Sequence, residues 1–147
     1  MESRPKKYPN RLGVTGWGLG GRWGVERYLY TIHRLTGIGL VLYFILHIFL
    51  TATRTFGQES WENSMSMVNS PFFMLMEFVV IIGFVFHALN GIRLILIELG
   101  FAVGRPEEPV YPYRSSINTQ RPLMIVMMLL AGIFIILGGY DMFAFAH

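Results

Sequence analysis

The chain has 147 residues, of which 53% are hydrophobic and 14% are charged, and it contains no cysteine. Soluble domains average about 25% charged residues, so the composition excludes an ordinary soluble domain and indicates an integral membrane protein. The lack of cysteine excludes disulfides, iron–sulfur ligands and covalent Cys-x-x-Cys-His haem attachment within the chain. Any metal must therefore be held by histidine, methionine, carboxylate or tyrosine side chains.

The net charge of +3 is distributed unevenly along the chain. Of the twelve Lys and Arg residues, seven lie at or before Arg34 and four flank the loop between the second and third apolar runs. Only Arg54 lies in the first loop. Because Lys and Arg accumulate on the cytoplasmic side of membrane proteins, we predict a cytoplasmic amino terminus and a cytoplasmic loop from Leu99 to Gln120. This distribution indicates a membrane orientation, and no nucleic-acid partner is expected.

Residues 1–27 are basic, polar and rich in glycine, and we predict that they form a cytoplasmic segment without a cleavable signal peptide. The stretch from Gly16 to Gly21 satisfies the pattern G-x-G-x-x-G. No strand precedes it and no βαβ unit follows, so the pattern does not indicate a dinucleotide site. Trp17 and Trp23 are better interpreted as interfacial anchors or as a surface for a cytoplasmic partner.

Residues 28–147 contain three apolar runs that are each long enough to cross a bilayer as a helix, which takes roughly 20 residues. We therefore predict an all-α membrane domain with three transmembrane helices, which forms part of a larger anchor helix bundle. The predicted spans are about 28–53, 72–97 and 123–140. A short outer loop that ends at Pro71 joins the first two, and a proline-containing cytoplasmic loop precedes the third.

The first span carries His33 near its cytoplasmic start and His47 deeper in the membrane. These histidines are fourteen residues apart, close to four helical turns, so both project from nearly the same face. Glu77 of the second span lies about as far from the outer side as His47 does, so we expect the two at one depth. His47 is then either a haem ligand or a structural partner of Glu77.

In the second span Gly83, His87 and Gly91 recur at every fourth residue, which places a histidine in a groove between two glycines. Glycines at this spacing also serve ordinary helix packing in membranes. An ionisable side chain in hydrocarbon is costly and is usually functional, and imidazole is a common axial ligand of haem iron. We interpret the groove as space for a bulky planar group such as haem b. From the residues alone, a structural, hydrogen-bonded histidine remains an alternative.

His33, Arg34 and Arg93 all lie near the cytoplasmic ends of their spans. We expect them to form a cationic rim at one level, suited to haem propionates or to polarising a quinone carbonyl. The alternative is ordinary positive flanking of the spans, with long side chains that reach the interface.

Two motifs carry a resemblance to a known family. His33-Arg34-Leu35-Thr36 is similar to Ser-x-x-His-Arg-x-Ser/Thr at the start of a first span, and the stretch from His87 to Arg93 is similar to His-x-x-x-Gly-hydrophobic-Arg in a second span. With both motifs in this order, the whole chain resembles the cytochrome b membrane-anchor subunits of succinate dehydrogenase and the related fumarate reductase anchors.

The resemblance implies that His87 is an axial ligand of haem b, with the other axial histidine on a second membrane-anchor subunit. It implies that His33 and Arg34 lie beside the propionates and the quinone pocket, facing the iron–sulfur subunit. Tyr30 stands where the family often has a quinone-contacting serine, and Thr31 is one position further on, so Tyr30, Thr31 and Arg34 are the expected quinone-binding residues. His47 is similar to a ligand in anchors with a second, distal haem, so either one or two haems are expected.

We therefore expect a subunit of succinate:quinone oxidoreductase in the plasma membrane of a prokaryote, working with flavoprotein, iron–sulfur and second anchor subunits among membrane lipid. It would bind haem b and form part of the quinone site, without a dicarboxylate or flavin site of its own. The alternatives are a fumarate reductase anchor, a haem-free anchor whose histidines hydrogen-bond quinone or each other, and a small transporter that uses His47 and Glu77.

Overall fold

The computed structural model describes Gly13, residues 24–104 and residues 116–144. These residues form four α-helices and no strand, which confirms the predicted all-α fold. A 3-10 turn, Thr53–Phe56, extends the first helix. Trp17, Trp23 and most of the predicted cytoplasmic segment lie outside the described residues. The helices are α1 (Val25–Ala52), α2 (Gln58–Val68), α3 (Pro71–Glu98) and α4 (Ile117–Ala144).

Three of the helices are long and apolar enough to cross a membrane: α1 with its 3-10 extension, α3 and α4. The chain is therefore a multi-pass membrane protein. The bounds of α3 agree with the predicted span to within one residue. Its start follows from local chemistry, because the Ser70 hydroxyl accepts a hydrogen bond from the Phe73 N–H at 3.5 Å and Pro71 occupies the first helical position.

Helix α4 (Ile117–Ala144) extends beyond the predicted third span, about 123–140, at both ends. Pro122 lies inside α4, near its start. A proline there removes one backbone donor close to the helix end, where several N–H groups have no intrahelical partner anyway.

The segment between the first two membrane-spanning helices contains a short helix, α2, that was not predicted from the sequence. Gly57 adopts φ +104°, which separates α2 from the preceding 3-10 turn and suits glycine alone. Its carbonyl accepts the Trp61 N–H at 3.2 Å, and the Arg54 guanidinium lies 4.1 Å from the centre of the Trp61 ring. Because α2 is too polar to span a membrane, its residues were predicted to be part of a loop.

Helix α3 is the centre of the bundle, with α1 packed on one side and α4 on another. Fully buried side chains are few among the described residues, and most of them lie toward the end of the bundle where α1 and α4 begin. Elsewhere large apolar side chains such as Leu46 and Phe49 are exposed, as expected of helices that face lipid or other subunits. The buried residues are Leu29, Thr31, Asn90, Arg93, Met124 and Ala131.

Two glycines allow α4 to approach α3. A Cβ atom on Gly139 would lie 3.0 Å from the Cε2 and Cζ atoms of Phe78, and one on Gly138 would lie 3.5 Å from Ile81. By contrast, a Cβ on Gly132 would meet no atom within 4 Å. The α3–α4 contact therefore depends on Gly139 and is insensitive to the size of residue 132.

Gly139→Leu should destabilise the protein by about 1–3 kcal/mol relative to Gly132→Leu, because the added side chain overpacks against Phe78. Both variants make the same change in helix propensity, so their difference isolates packing. Thermal unfolding in detergent, followed by circular dichroism, measures it. Equal unfolding temperatures for the two variants would contradict the assigned α3–α4 contact.

Candidate functional site

His87 is held against α1 by hydrogen bonds to one of its ring nitrogens. Its Nδ1 atom lies 3.0 Å from the backbone carbonyl of His33 and 3.2 Å from Thr36 Oγ1. A carbonyl oxygen can only accept, so Nδ1 carries the ring proton and donates it. The lone pair of the neutral imidazole is then on Nε2. This second nitrogen is the one that is able to bind a metal.

The His87 ring is also stacked on the His33 ring. Their centroids are 3.9 Å apart and their planes differ by 6°. The Thr36 hydroxyl donates within its own helix, to carbonyls of the preceding turn at 2.9 and 3.0 Å. Its lone pairs therefore face the Nδ1–H of His87. One face and one edge of the His87 ring are fixed in this way.

The close approach of α1 to His87 requires a glycine at position 37. A Cβ atom on Gly37 would lie only 2.9 Å from His87 Cε1, closer than real Cβ contacts. On α3, a Cβ on Gly91 would lie 3.4 Å from the His33 ring and one on Gly83 would lie 3.8 Å from Thr36. The interpretation of the groove between Gly83 and Gly91 as space for a planar group is therefore wrong in this structure: it receives side chains of α1.

An apolar cavity of about 290 Å³ lies beside the groove, on the side away from the end of the bundle where α1 and α4 begin. Thr36 and Gly83 belong to both the cavity wall and the contact between α1 and α3. Any large ligand of His87 would reach the ring from the surface of the bundle. The cavity is lined by Leu35, Thr36, Gly39, Leu40, Val79, Val80 and Gly83.

Arg34 and Tyr30 form a pair on the exposed surface of α1. The Arg34 guanidinium donates to the Tyr30 hydroxyl at 2.5 Å and lies 4.2 Å from the centre of its ring. Thr31, in contrast, is 6% exposed and lies in the interior. A ligand at the surface can reach Tyr30 but cannot reach Thr31. The expectation that Thr31 contacts a quinone is therefore not compatible with its burial.

Arg93 points away from this surface, into the bundle. It is 4% exposed, and the neighbouring Asn90 is completely buried. Arg93 interacts electrostatically with Glu26, and the Glu26 carboxylate accepts a hydrogen bond from Arg121 Nε at 3.0 Å. The structure thus separates the predicted cationic rim, with Arg34 on the outside and Arg93 on the inside.

Several buried polar atoms in this region have no hydrogen-bond partner among the described residues. They are both side-chain atoms of Asn90, Nε of Arg93 and Nδ1 of His33. An unpaired buried donor or acceptor costs about 1–3 kcal/mol. Sequence reasoning assigned no role to Asn90. The sequence feature that could have singled out Asn90 is a short amide side chain in an otherwise apolar span, one helical turn from His87.

His47 lies on the other half of the bundle and does not meet the other histidines. It lines a cavity of about 440 Å³ together with Tyr43 and Glu77, so the expectation that His47 and Glu77 share one depth is confirmed. The ring centroids of His47 and Tyr43 are 5.6 Å apart. The remaining cavity wall is mostly apolar, formed by Leu46, Leu50, Val68, Phe73, Met76 and Val80.

The residues around His87 fit the role of a haem ligand. Nδ1 is anchored by a carbonyl, which orients the ring and leaves Nε2 as the metal-binding nitrogen. An apolar cavity and the exposed Arg34 lie nearby on the same helix pair. Among the described residues no group of three or more His, Cys, Asp or Glu could hold a metal ion.

Comparisons with known proteins agree on one family. A family model described as succinate dehydrogenase/fumarate reductase transmembrane subunit matches residues 17–137. The chain is 30% identical over 95 residues to the succinate dehydrogenase hydrophobic membrane anchor subunit of Halobacterium salinarum, covering 62% of this chain and 73% of that one. It is 29% identical over 69 residues to the succinate dehydrogenase 2 membrane subunit SdhC of Mycobacterium tuberculosis, covering 47% of this chain and 51% of that one.

Gly37→Ala should destabilise the protein by about 1–3 kcal/mol, because the new methyl group displaces the His87 ring or separates α1 from α3. Gly39→Ala is the matched control, since a Cβ there meets no atom within 4 Å. It should be neutral or slightly stabilising, as alanine is the better helix former. The measurement is the midpoint of thermal unfolding. A Gly37→Ala protein as stable as the Gly39→Ala protein would disprove the contact.

Proposed function

The chain belongs to the succinate dehydrogenase/fumarate reductase transmembrane subunit family, and from this membership we propose that it is the haem-binding anchor of a succinate dehydrogenase. The observation that carries the proposal is the anchored imidazole of His87. Its Nδ1–H is committed to the His33 carbonyl and Thr36, so its Nε2 lone pair is available as one axial ligand of haem b. A second anchor subunit would provide the other axial histidine.

A haem b bound here would supply one-electron transfer. The chain's own residues would orient it. His33 lies against the ligand ring, and Arg34 is the exposed guanidinium at the same end of α1, suited to a propionate carboxylate. Arg93 is 4% exposed, so it would act on a propionate only from inside the bundle.

The Tyr30–Arg34 pair is the proposed contribution of this chain to a quinone site. The Tyr30 hydroxyl accepts a hydrogen bond from the Arg34 guanidinium, so its own proton is free to be donated elsewhere. A quinone carbonyl is a suitable acceptor, and the adjacent positive charge would stabilise negative charge that develops on it. Electrons would come from succinate through the flavoprotein and iron–sulfur subunits.

The orientation follows from the charge distribution. We place the amino terminus and the α3–α4 loop in the cytoplasm of a prokaryote, with the iron–sulfur subunit docked at that side of the plasma membrane. Both curated relatives described above are from prokaryotes. The exposed apolar surface of α1, which includes Val41, Leu46 and Phe49, would be covered by lipid and by the second anchor subunit.

Alternative functions of the same family can each be tested by a simple measurement. The family also includes fumarate reductase subunits, which would run the same electron path in reverse. In a haem-free anchor, the His33–His87 stack would be purely structural. His47, in its own cavity with Glu77, would ligate a second haem in a two-haem anchor and would be a structural residue in a one-haem anchor.

His87→Ala should abolish haem incorporation into the purified complex, because the axial ligand is lost. His47→Ala should lower the haem content only if the complex carries a second haem. Pyridine haemochrome stoichiometry and the reduced-minus-oxidised spectrum measure both. A His87→Ala complex with the wild-type haem content, or a wild-type complex without a b-type spectrum, would refute the haem assignment.

Arg34→Ala should lower succinate:quinone reductase activity strongly while succinate oxidation with a soluble acceptor is retained, because only the quinone step loses its charge. Loss of one charge-assisted hydrogen bond in the transition state corresponds to roughly a hundredfold loss in rate. Arg54→Ala is the control, since Arg54 also stacks on an aromatic ring, at 4.1 Å, but lies at the other end of the span. Equal quinone reductase rates in the two variants would contradict the proposed quinone site.

A further inference from the structure

A buried polar site, formed by Asn90 and Arg93, lies inside the bundle, and its Asn90 side chain has no role in the proposed haem and quinone chemistry. Asn90 is 0% exposed and Arg93 is 4% exposed. Among the described residues, neither the Oδ1 nor the Nδ2 atom of Asn90 has a hydrogen-bond partner, and Arg93 Nε also lacks one. Two neighbouring buried side chains on one helix thus present an acceptor and two donors to the same interior.

Buried side chains of all three membrane-spanning helices lie at this end of the bundle. Asn90 and Arg93 are on α3, the buried Leu29 is on α1 and the buried Met124 is on α4. At the same end, the ion pair between Glu26 and Arg121 joins the start of α1 to the start of α4. Asn90 has no exposed surface that a side chain of another subunit could contact.

The chemistry of the unpaired atoms restricts what can fill the site. An amide needs a partner that both donates and accepts a hydrogen bond, and Arg93 Nε needs an acceptor. Lipid headgroups, quinones and haem are too large for a position with no exposed surface. A buried ion is not required, because Arg93 already interacts with the Glu26 carboxylate. Water meets each of these requirements, since it donates, accepts, is neutral and is small.

We propose that Asn90 and Arg93 hold buried water within the membrane-spanning bundle, beneath the Glu26–Arg121 ion pair. The water satisfies both amide atoms and Arg93 Nε, so that a buried guanidinium and a buried amide are tolerated in an apolar helix. The proposal does not depend on haem or quinone binding.

Met124 provides a reporter for this water. The antiparallel α3–α4 contact, with Ile81 beside Gly138 and Phe78 beside Gly139, places Met124 at about the depth of Arg93. Its side chain is 9% exposed and therefore shielded from bulk solvent and lipid. Methionine sulfur is readily oxidised by hydroxyl radicals, and radicals formed from a bound water attack the nearest side chains.

The test is X-ray radiolytic labelling of the intact wild-type complex in H₂¹⁸O, with oxidised methionines identified by mass spectrometry. Met124 should be oxidised. After transfer into H₂¹⁸O, the ¹⁸O content of its oxidation product should rise more slowly than that of Met67, which is 75% exposed, because bound water exchanges more slowly than bulk water. Asn90→Leu, of similar volume but without hydrogen-bonding atoms, should abolish the Met124 label. Leu89→Ile, the neighbouring apolar control, should leave the label unchanged.

A wild-type complex in which Met124 is not oxidised would overturn the proposal, as would equal oxidation in the wild-type and Asn90→Leu complexes. An experimental density map of the wild-type complex shows whether water is bonded to Asn90, even if the Asn90→Leu complex does not assemble. Ordered water bonded to the Asn90 amide would support the site. An amide bonded to residues 1–23, residues 105–115 or another subunit would overturn it.

Discussion

The close contact between Gly37 on α1 and the His87 ring on α3 is the constraint on which the rest of the site depends. Only a residue without a side chain lets the two helices come near enough for the His33 carbonyl and Thr36 to bind Nδ1. That hydrogen bonding sets the tautomer and leaves Nε2 for a ligand. The same approach stacks the two imidazoles and fills the glycine groove of α3 with side chains of α1.

Once α1 and α3 are joined in this way, Arg34 and Arg93, which lie at the same end of the bundle, have different surroundings. Arg34 lies on the outer surface, paired with Tyr30, where a ligand or a partner subunit can meet it. Arg93 lies inside, where a charge is costly and must be compensated. Glu26 attracts the Arg93 charge and accepts a hydrogen bond from Arg121, and the second contact joins the start of α1 to the start of α4.

The bundle is therefore asymmetric along the membrane normal. Its buried residues are concentrated at the end that holds the Glu26–Arg121 ion pair, while the opposite half has an open cavity beside His47 and Glu77 and many exposed apolar side chains. Helices in lipid gain little from burying apolar surface against one another, so close packing and polar contacts determine their arrangement. In this protein those contacts converge on the helix that carries His87.

The sequence by itself determined the three spans, the all-α class and the family, because hydropathy and motif spacing are local properties of the chain. It also placed His47 and Glu77 at one depth, since a helix rises by a constant amount per residue. It did not predict α2, the early start of α4, the burial of Arg93, Asn90 and Thr31, or the filling of the groove by α1. Those features depend on which helix faces meet, and only the tertiary structure decides that, because the same apolar, glycine-containing face can pack against a cofactor or against another helix.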